Sequence, residues 1–587
     1  DEADIEAHNY STTICDDPRY AAAFLDRVSR MVRRDANHPS VILWSLGNET
    51  SIGVNHHAAA GWLRAFDPSR PLHYEGAIMR DWFVGHAVTD VVAPMYPSPA
   101  ALRQYAEDPR ADRPLIMCEY SHAMGNSNGG LDEYWDLIEH TRGLQGGFIW
   151  ELTDHGLDPD GDGRYRYGGG FGDEPNDGNF CIDGLLFPDG SPHPGMEEAR
   201  RLFTPLEATA IPSQLRAGTV DVRNRQFFVD SSRYRAAARV DALDGSGPAI
   251  ELPLPAIPPR GTATVVLPDE LRAGLASPGA LGLSIEIVLA DDEPWAPAGT
   301  SLATMQVLAV EEPPVHALPP IAKTARSEER EVAEGEDGSI RSDLLAGQPE
   351  IELWRAPTDN DASMMHFGRL AGSGFAAPVR ELVRVAEEGG ATLVEARYRA
   401  DGVEVAHTRR FGRAVDGGLV VHERVTVPPA QRDLLRIGTT VPLPAGYDHV
   451  VWLGAGPHET YPDRRRSGRL GRWDAAIDTL QVPYVKPQEN GSRSEVWLLE
   501  LSGPGRPGLR IRLDRPCQVG VSRHSTAELA AARHSWELPS STRSYIHLDV
   551  AQRGLGTTSV GPDVPAEFRV GPGVYEWVWT LEELPAR

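Results

Sequence analysis

Three glutamates in this sequence stand directly behind short apolar runs: Glu49 after VILWSLGN, Glu75 after PLHY and Glu119 after PLIMC. Two carboxyl groups on opposite sides of a sugar can break a glycosidic bond. One protonates the leaving oxygen; in the retaining version the other, about 5–5.5 Å away, attacks the anomeric carbon. A lone carboxylate at a strand end is more often a salt bridge or a loop hydrogen bond, so the neighbours decide. Asn48 sets an amide able to bind a sugar hydroxyl beside Glu49, and Tyr120 and His122 follow Glu119, where they can orient a carboxylate. Glu75 lies between Tyr74 and Gly76 and is read as a supporting residue.

Other motifs point elsewhere. Glu6 and His8 lie two apart in DEADIEAH, so both face one side of a strand; on spacing alone they are a surface pair. GNSNG (125–129) has the G-x-S-x-G form of a serine nucleophile elbow. The strand before it ends near Tyr120, however, which leaves Ser127 in a loop. DPDGDG (158–163) opens like a calcium loop, but its twelfth position is Gly169, where a bidentate Glu is required. A solvated turn is the expectation. Cys15, Cys118, Cys181 and Cys517 show no CxxC spacing and are read as buried thiols.

The elements that must position these groups are parallel strands. Apolar runs at 41–49, 71–76, 90–96, 114–120 and 146–152 suit strands buried on both faces, and DEADIEAH is the trailing end of a sixth. Between them an amphipathic helix is expected, capped by Asp16 or Asp17, started by Pro18, and apolar along Tyr20, Phe24, Val28, Met31 and Val32. Further helices are expected over 55–66 and 130–140. Residues 1–205 therefore read as the last six strands of a (β/α)8 TIM barrel whose first two strands precede residue 1. From about residue 206 the pattern alternates as in antiparallel strands. A small immunoglobulin-like β-sandwich is expected over 206–312 and a large C-terminal β-sandwich over 313–587, joined by the Pro-rich EEPPVHALPPIA (311–322).

Composition narrows the partners. The 587 residues are 41% hydrophobic and 24% charged, the balance of a multidomain globular protein. A net charge of −27 argues against nucleic acid and anionic membranes, which select basic surfaces. No apolar run approaches the length of a membrane span. The chain opens without an initiating Met, as the rear part of something longer would.

SLGNE (45–49) and CEYSHAMGNS (118–127) strongly resemble the β-galactosidases of glycoside hydrolase family 2. The likeness continues through RDANHPSVILW, PMY, LQGGFIWE and GGGFGDEPND, then RAPTDND, WLGAGPHETYPDR, PYVKPQENG and PAEFRV. The resemblance implies a retaining hydrolase of terminal β-D-galactosides, with Glu49 as general acid/base and Glu119 as nucleophile. It further implies Tyr96 and His122 as sugar-binding groups, Trp150 as the aromatic platform, and Mg²⁺ held by Glu6, His8 and Glu49. A Na⁺ is implied at the Phe180 carbonyl and at Asp183, where the family has Asn. Tyr545 stands where the family has a Trp, which bears on acceptor binding. A cytoplasmic homo-oligomer acting on a small carbohydrate is implied for the whole protein. The missing strands and upstream sugar-binding domain lead us to expect this segment alone to be inactive or weakly folded. The rival readings are a β-glucuronidase or β-mannosidase of the same family, or a non-catalytic remnant.

Overall fold

A computed structural model describes residues 1–8, 13–311, 313, 317–322, 333–334, 338–363, 368–415 and 417–585. The chain divides into two compact units. The first comprises Asp1–Ala123, Gly130–Leu152 and Val560–Asp563, and the second comprises Met124–Gly129, Thr153–Ser559 and Val564–Arg587.

In the first unit, β1 (Trp44–Ser45) pairs in parallel with β2 (Leu72–His73). β3 (Leu115–Tyr120) pairs in parallel with β4 (Leu144–Ile149). Parallel bridges Glu2↔Ser45 and Glu6↔Asn48 add the N-terminal segment beside β1, and Val92↔Leu115 and Met95↔Glu119 add 92–95 beside β3. The Asp90 amide donates to the Leu72 carbonyl at 2.8 Å, linking β2 to that segment. Six extended segments thus lie side by side in chain order, as the apolar runs predict. Four of them contain regular strand, whereas the N-terminal segment and 92–95 are joined by isolated bridges.

Helices α1 (Thr13–Asp16), α2 (Ala21–Asp35), α3 (Val54–Phe66), α4 (Pro99–Glu107) and α5 (Leu131–His140) fill the crossovers. Asp17 accepts the Arg19 amide at 2.9 Å and starts a 3-10 turn, Pro18–Tyr20, that leads into α2. Phe24, Val28, Met31 and Val32 are buried against Trp44, Leu63 and Leu72. Tyr20, expected on the same face, is 43% exposed because it sits in the 3-10 turn, before the α-helical phase begins. Helix α4 escapes the apolar pattern, although Ser98 caps it and Pro99 occupies its first turn.

The second unit contains β5 (Leu206–Thr209), β6 (Thr219–Asn224), β7 (Tyr234–Ala242), β8 (Gly245–Ser246), β9 (Ile250–Leu252), β10 (Thr262–Val266), β11 (Ala280–Leu289) and β12 (Ser301–Leu308). One sheet runs β10-β6-β5 and the other β12-β11-β7-β8, with β9 on β7. Val220 and Val222 of the first meet Leu283, Ile285, Met305 and Val307 of the second in one core, which makes this region a sandwich.

The expected large sandwich is instead one hydrogen-bonded antiparallel sheet of twelve strands. Its Val394, Val421, Val441, Leu501, Leu509, Ile546 and Trp579 share a single core, so the sheet curls round its own interior. Small sandwich and large sheet belong to one compact unit for a visible reason. Gln306 exchanges two hydrogen bonds with the Leu470 backbone, at 2.7 and 2.8 Å, and Leu281 packs with Leu453, Leu470 and Trp497.

The two rival motifs are structural. Ser127 is fully buried in a loop, where its hydroxyl lies 3.3 Å from the Gly556 carbonyl and 3.1 Å from the Asn360 amide nitrogen. The Asp158 carboxylate accepts the amides of Gly161, Asp162 and Gly163, closing its own exposed turn. All four cysteines are free thiols. Among the described residues no helix is long and apolar enough to cross a membrane.

Candidate active site

Glu49 follows the last bridged residue of its segment, where Asn48 pairs with Glu6 and donates its amide to the Ile5 carbonyl at 2.9 Å. Gly47 makes this approach possible. Its φ is +128°, and a β-carbon there would come within 2.8 Å of the Ile5 side chain. The chain then enters the left-handed region at Glu49 (φ 40°) and Ser51 (φ 54°), which side-chain-bearing residues adopt only when their surroundings hold them. Thr50 supplies one hold. Its hydroxyl donates to the Asn48 carbonyl at 2.7 Å and accepts the Ala7 amide at 2.8 Å, tying the strand that carries Glu6 and His8 to the Glu49 turn.

Glu75 supplies another. It is 5% exposed, and its Oε1 accepts the Glu49 amide at 2.6 Å. Its other oxygen accepts the Gly76 amide. Burial pushes the Glu75 carboxyl up to about 8, against the pull of these two amides. The Tyr74 hydroxyl donates to the Ser51 carbonyl, and a side chain at Gly76 would collide with that same carbonyl.

Glu6, His8 and Glu49 bring one ligand atom each to within 4.8 Å of one another, the sole such trio found among the described residues. His8 Nε2 and Glu49 Oε2 are in direct contact. Two carboxylates and an imidazole, with Glu6 and His8 exposed and Glu49 half-buried, leave room for the waters that Mg²⁺ retains. The donor set therefore fits the ion.

Glu119 lies near the end of β3, on the next segments of the same unit. Its Oε2 accepts the Tyr96 hydroxyl at 2.8 Å, and its carbonyl accepts the Tyr96 amide at 2.8 Å. Burial pushes its carboxyl up to about 7; the Tyr96 hydroxyl opposes that shift, and the charges of Glu49, Glu2 and Glu6 add to it. Glu49 is thus close enough to act on Glu119 through its field. His122 is buried, and its ring meets that of Tyr96 edge-on at 5.9 Å. Trp150 follows β4; its amide donates to Tyr120 and its carbonyl accepts from Ala123. The indole is 38% exposed, so this residue is not a core tryptophan.

The remaining expected residues belong to the second unit. Phe180 lies in the short 3-10 turn Gly178–Cys181 and is 47% exposed. Asp183 is buried two residues beyond that turn, next to Gly184, whose amide donates to Asp154 at 2.8 Å. Tyr545 is half-buried on the strand Ser544–Gln552, opposite Pro442 and Ser522. Sequence reasoning passed over Thr50 and understated Glu75. The signal for Thr50 was its place directly behind Glu49; nothing in the sequence shows Glu75 reaching a backbone amide 26 residues away.

Residues 1–208 match the family described as glycosyl hydrolases family 2, TIM barrel domain. Residues 220–309 match beta-galactosidase, domain 4, and 333–581 match the beta galactosidase small chain. A beta-galactosidase of Aeromonas hydrophila is 34% identical over 98% of this chain and 59% of its own length. One from Arthrobacter sp. strain B7 is 35% identical over 97% and 61%, and one from Vibrio cholerae 32% over 99% and 59%. The chain spans about three-fifths of the length of these relatives.

Proposed function

The chain belongs to glycoside hydrolase family 2, and from that premise we propose that it carries the catalytic carboxylates of a retaining β-galactosidase. The observation that carries the reading is the pairing of two differently held glutamates in one unit. Both are half-buried: the Glu119 carboxylate accepts the Tyr96 hydroxyl, while Glu49 sits on the Glu6/His8 group.

In this reading Glu119 attacks the anomeric carbon and forms a galactosyl ester, while Glu49 protonates the departing oxygen. Glu49 then takes a proton from water, which releases the sugar and restores both carboxyls. The Tyr96 hydroxyl stays on the Glu119 oxygen that is not attacking and limits the cost of its buried charge. Asn48 and His122 bind sugar hydroxyls, and the partly exposed Trp150 offers its indole to the apolar face of the ring. Glu6, His8 and Glu49 would hold Mg²⁺, whose positive charge would offset the carboxylates that raise Glu119. Phe180 and Asp183 as Na⁺ ligands, and Tyr545 as an aromatic contact for the acceptor, belong to the same proposal. So does a cytoplasmic homo-oligomer for the whole protein, tested by fractionation and sedimentation of the full-length product.

Incubation with 2,4-dinitrophenyl 2-deoxy-2-fluoro-β-D-galactoside tests the mechanism. We expect one fluorogalactosyl group on the peptide carrying Glu119, absent in Glu119→Gln. Label on any other residue, or its persistence in that variant, overturns the assignment. Faster turnover of β-glucuronide or β-mannoside than of β-galactoside would overturn the substrate class.

A further inference from the structure

Glu49 is the residue whose proton must move, yet the Thr50 hydroxyl of its own segment accounts for only part of the path of its backbone. It adopts φ 40° and is followed two residues later by Ser51 at φ 54°, conformations that cost free energy for non-glycine residues unless neighbours hold them. The neighbour is the end of the next segment, residues 74–76, which grips the turn at three points. Glu75 Oε1 accepts the Glu49 amide at 2.6 Å, the Tyr74 hydroxyl donates to the Ser51 carbonyl, and Gly76 leaves that carbonyl the space a side chain would take. Glu75 and Tyr74 are both buried, at 5% and 0% exposure, so water does not substitute for either contact.

We propose that Glu75 is the positioning residue for the acid/base Glu49, its carboxyl acting as a fixed acceptor for the Glu49 amide. The proposal rests on the reading of Glu49 given above. Glu75 makes no contact with the sugar in this account. It works through one backbone hydrogen bond, which sets where the Glu49 side chain leaves the chain and therefore whether its proton reaches the glycosidic oxygen. Reach matters more than charge. Glu75→Gln keeps an oxygen for the Glu49 amide while setting its NH2 group against the Gly76 amide. Glu75→Asp keeps the charge but withdraws the acceptor by one methylene.

Two measurements test this. Hydrogen exchange followed by mass spectrometry reads the Glu49 amide directly and needs no activity. Protection of the peptide spanning 46–52 is expected to survive in Glu75→Gln and to fall at least about tenfold in Glu75→Asp and Glu75→Ala, with peptides of α2 unchanged. Equal protection in all variants overturns the contact.

The second measurement compares leaving groups in the longest gene product that hydrolyses galactosides. Lactose needs a proton delivered to its leaving oxygen, whereas 2,4-dinitrophenyl galactoside does not. An acid displaced by about 1 Å costs on the order of 100-fold, so kcat/KM on lactose, which reports the step that needs the acid, is expected to fall roughly 10- to 100-fold in Glu75→Asp. For the dinitrophenyl substrate kcat/KM is expected to lose less than about threefold, even where its kcat falls because Glu49 also activates water. Parallel losses of kcat/KM on both substrates show a merely structural role and overturn the proposal. Glu49→Gln, run alongside, separates the two failures: if it lacks leaving-group dependence, the acid/base reading fails, and the exchange experiment still decides the Glu75 contact.

Discussion

Replacing Tyr96 by Phe removes one hydroxyl and leaves the ring, with its edge contact to His122, in place. That hydroxyl is the leading influence favouring the Glu119 carboxylate; burial and the charges of Glu49, Glu2 and Glu6 all oppose ionisation and bring the carboxyl up to about 7. A hydrogen bond to a charged group contributes about 1.5–3 kcal/mol, and one pKa unit corresponds to about 1.4 kcal/mol. Losing a donor to the charged form disfavours that form, so the carboxyl should rise by roughly 1–2 units. At neutral pH the ionised share then falls from about half to somewhere near 1–10%. Titration of ¹³C-labelled Glu carboxyls, with Glu119→Gln identifying the resonance, reads the shift directly. The acid limb of fluorogalactoside trapping against pH should move by the same amount. An unchanged or lowered midpoint in Tyr96→Phe would refute the claim that this hydroxyl stabilises the buried charge.

Mg²⁺ added at millimolar concentration should lower the Glu119 midpoint, because it offsets Glu6 and Glu49; Glu6→Gln should weaken both that shift and calorimetrically measured Mg²⁺ binding, and an unchanged isotherm would sink the trio. Glu75 and Glu119, raised to about 8 and 7, favour the protonated folded state, so their contribution to first-unit stability is full below the unfolded carboxyl range. It is lost as pH rises through 7 to 8. Metal-free thermal scans from pH 5 to 9 should show that loss, flatter in Glu75→Gln. The large sheet should behave oppositely: Glu423, fully buried between His407 and Arg409 and depressed to about 2, contributes stability above the unfolded carboxyl range. That contribution is lost as pH falls toward 2, which circular dichroism during acid titration would register. Asp361→Ala strands Arg355, a fully buried partner at 2.9 Å, and should cost about 3–5 kcal/mol in urea unfolding; a change below about 1 kcal/mol would show the pair to be replaceable.

Much of this protein was legible without coordinates, because its signals are local. Continuous apolar runs mark the parallel segments, since strands buried on both faces need apolar side chains at every position. The Asp17–Pro18 start and the spacing of Phe24, Val28, Met31 and Val32 mark α2. The motifs around Glu49 and Glu119 single out the two carboxylates proposed above, and Glu6 with His8 share a face by the two-residue period of a strand.

What the sequence could not supply are relations between segments. The expected sandwich at the C-terminal end is a single curled sheet, because strand pairing depends on long-range register that alternation leaves open. Glu75 stood beside two other glutamates with no reason to rank it. Only the packing of the 74–76 segment against the Glu49–Ser51 turn reveals its bond to the Glu49 amide. The different partners of Glu119 and Glu49 likewise arise from tertiary contacts: Tyr96, 23 residues from Glu119, and the Glu6/His8 pair beside Glu49. Residue types and spacing determine which chemistry is available to this chain. The tertiary structure decides which carboxyl the Tyr96 hydroxyl reaches, which one joins Glu6 and His8, and what holds its backbone, because those depend on contacts that the order of residues does not record.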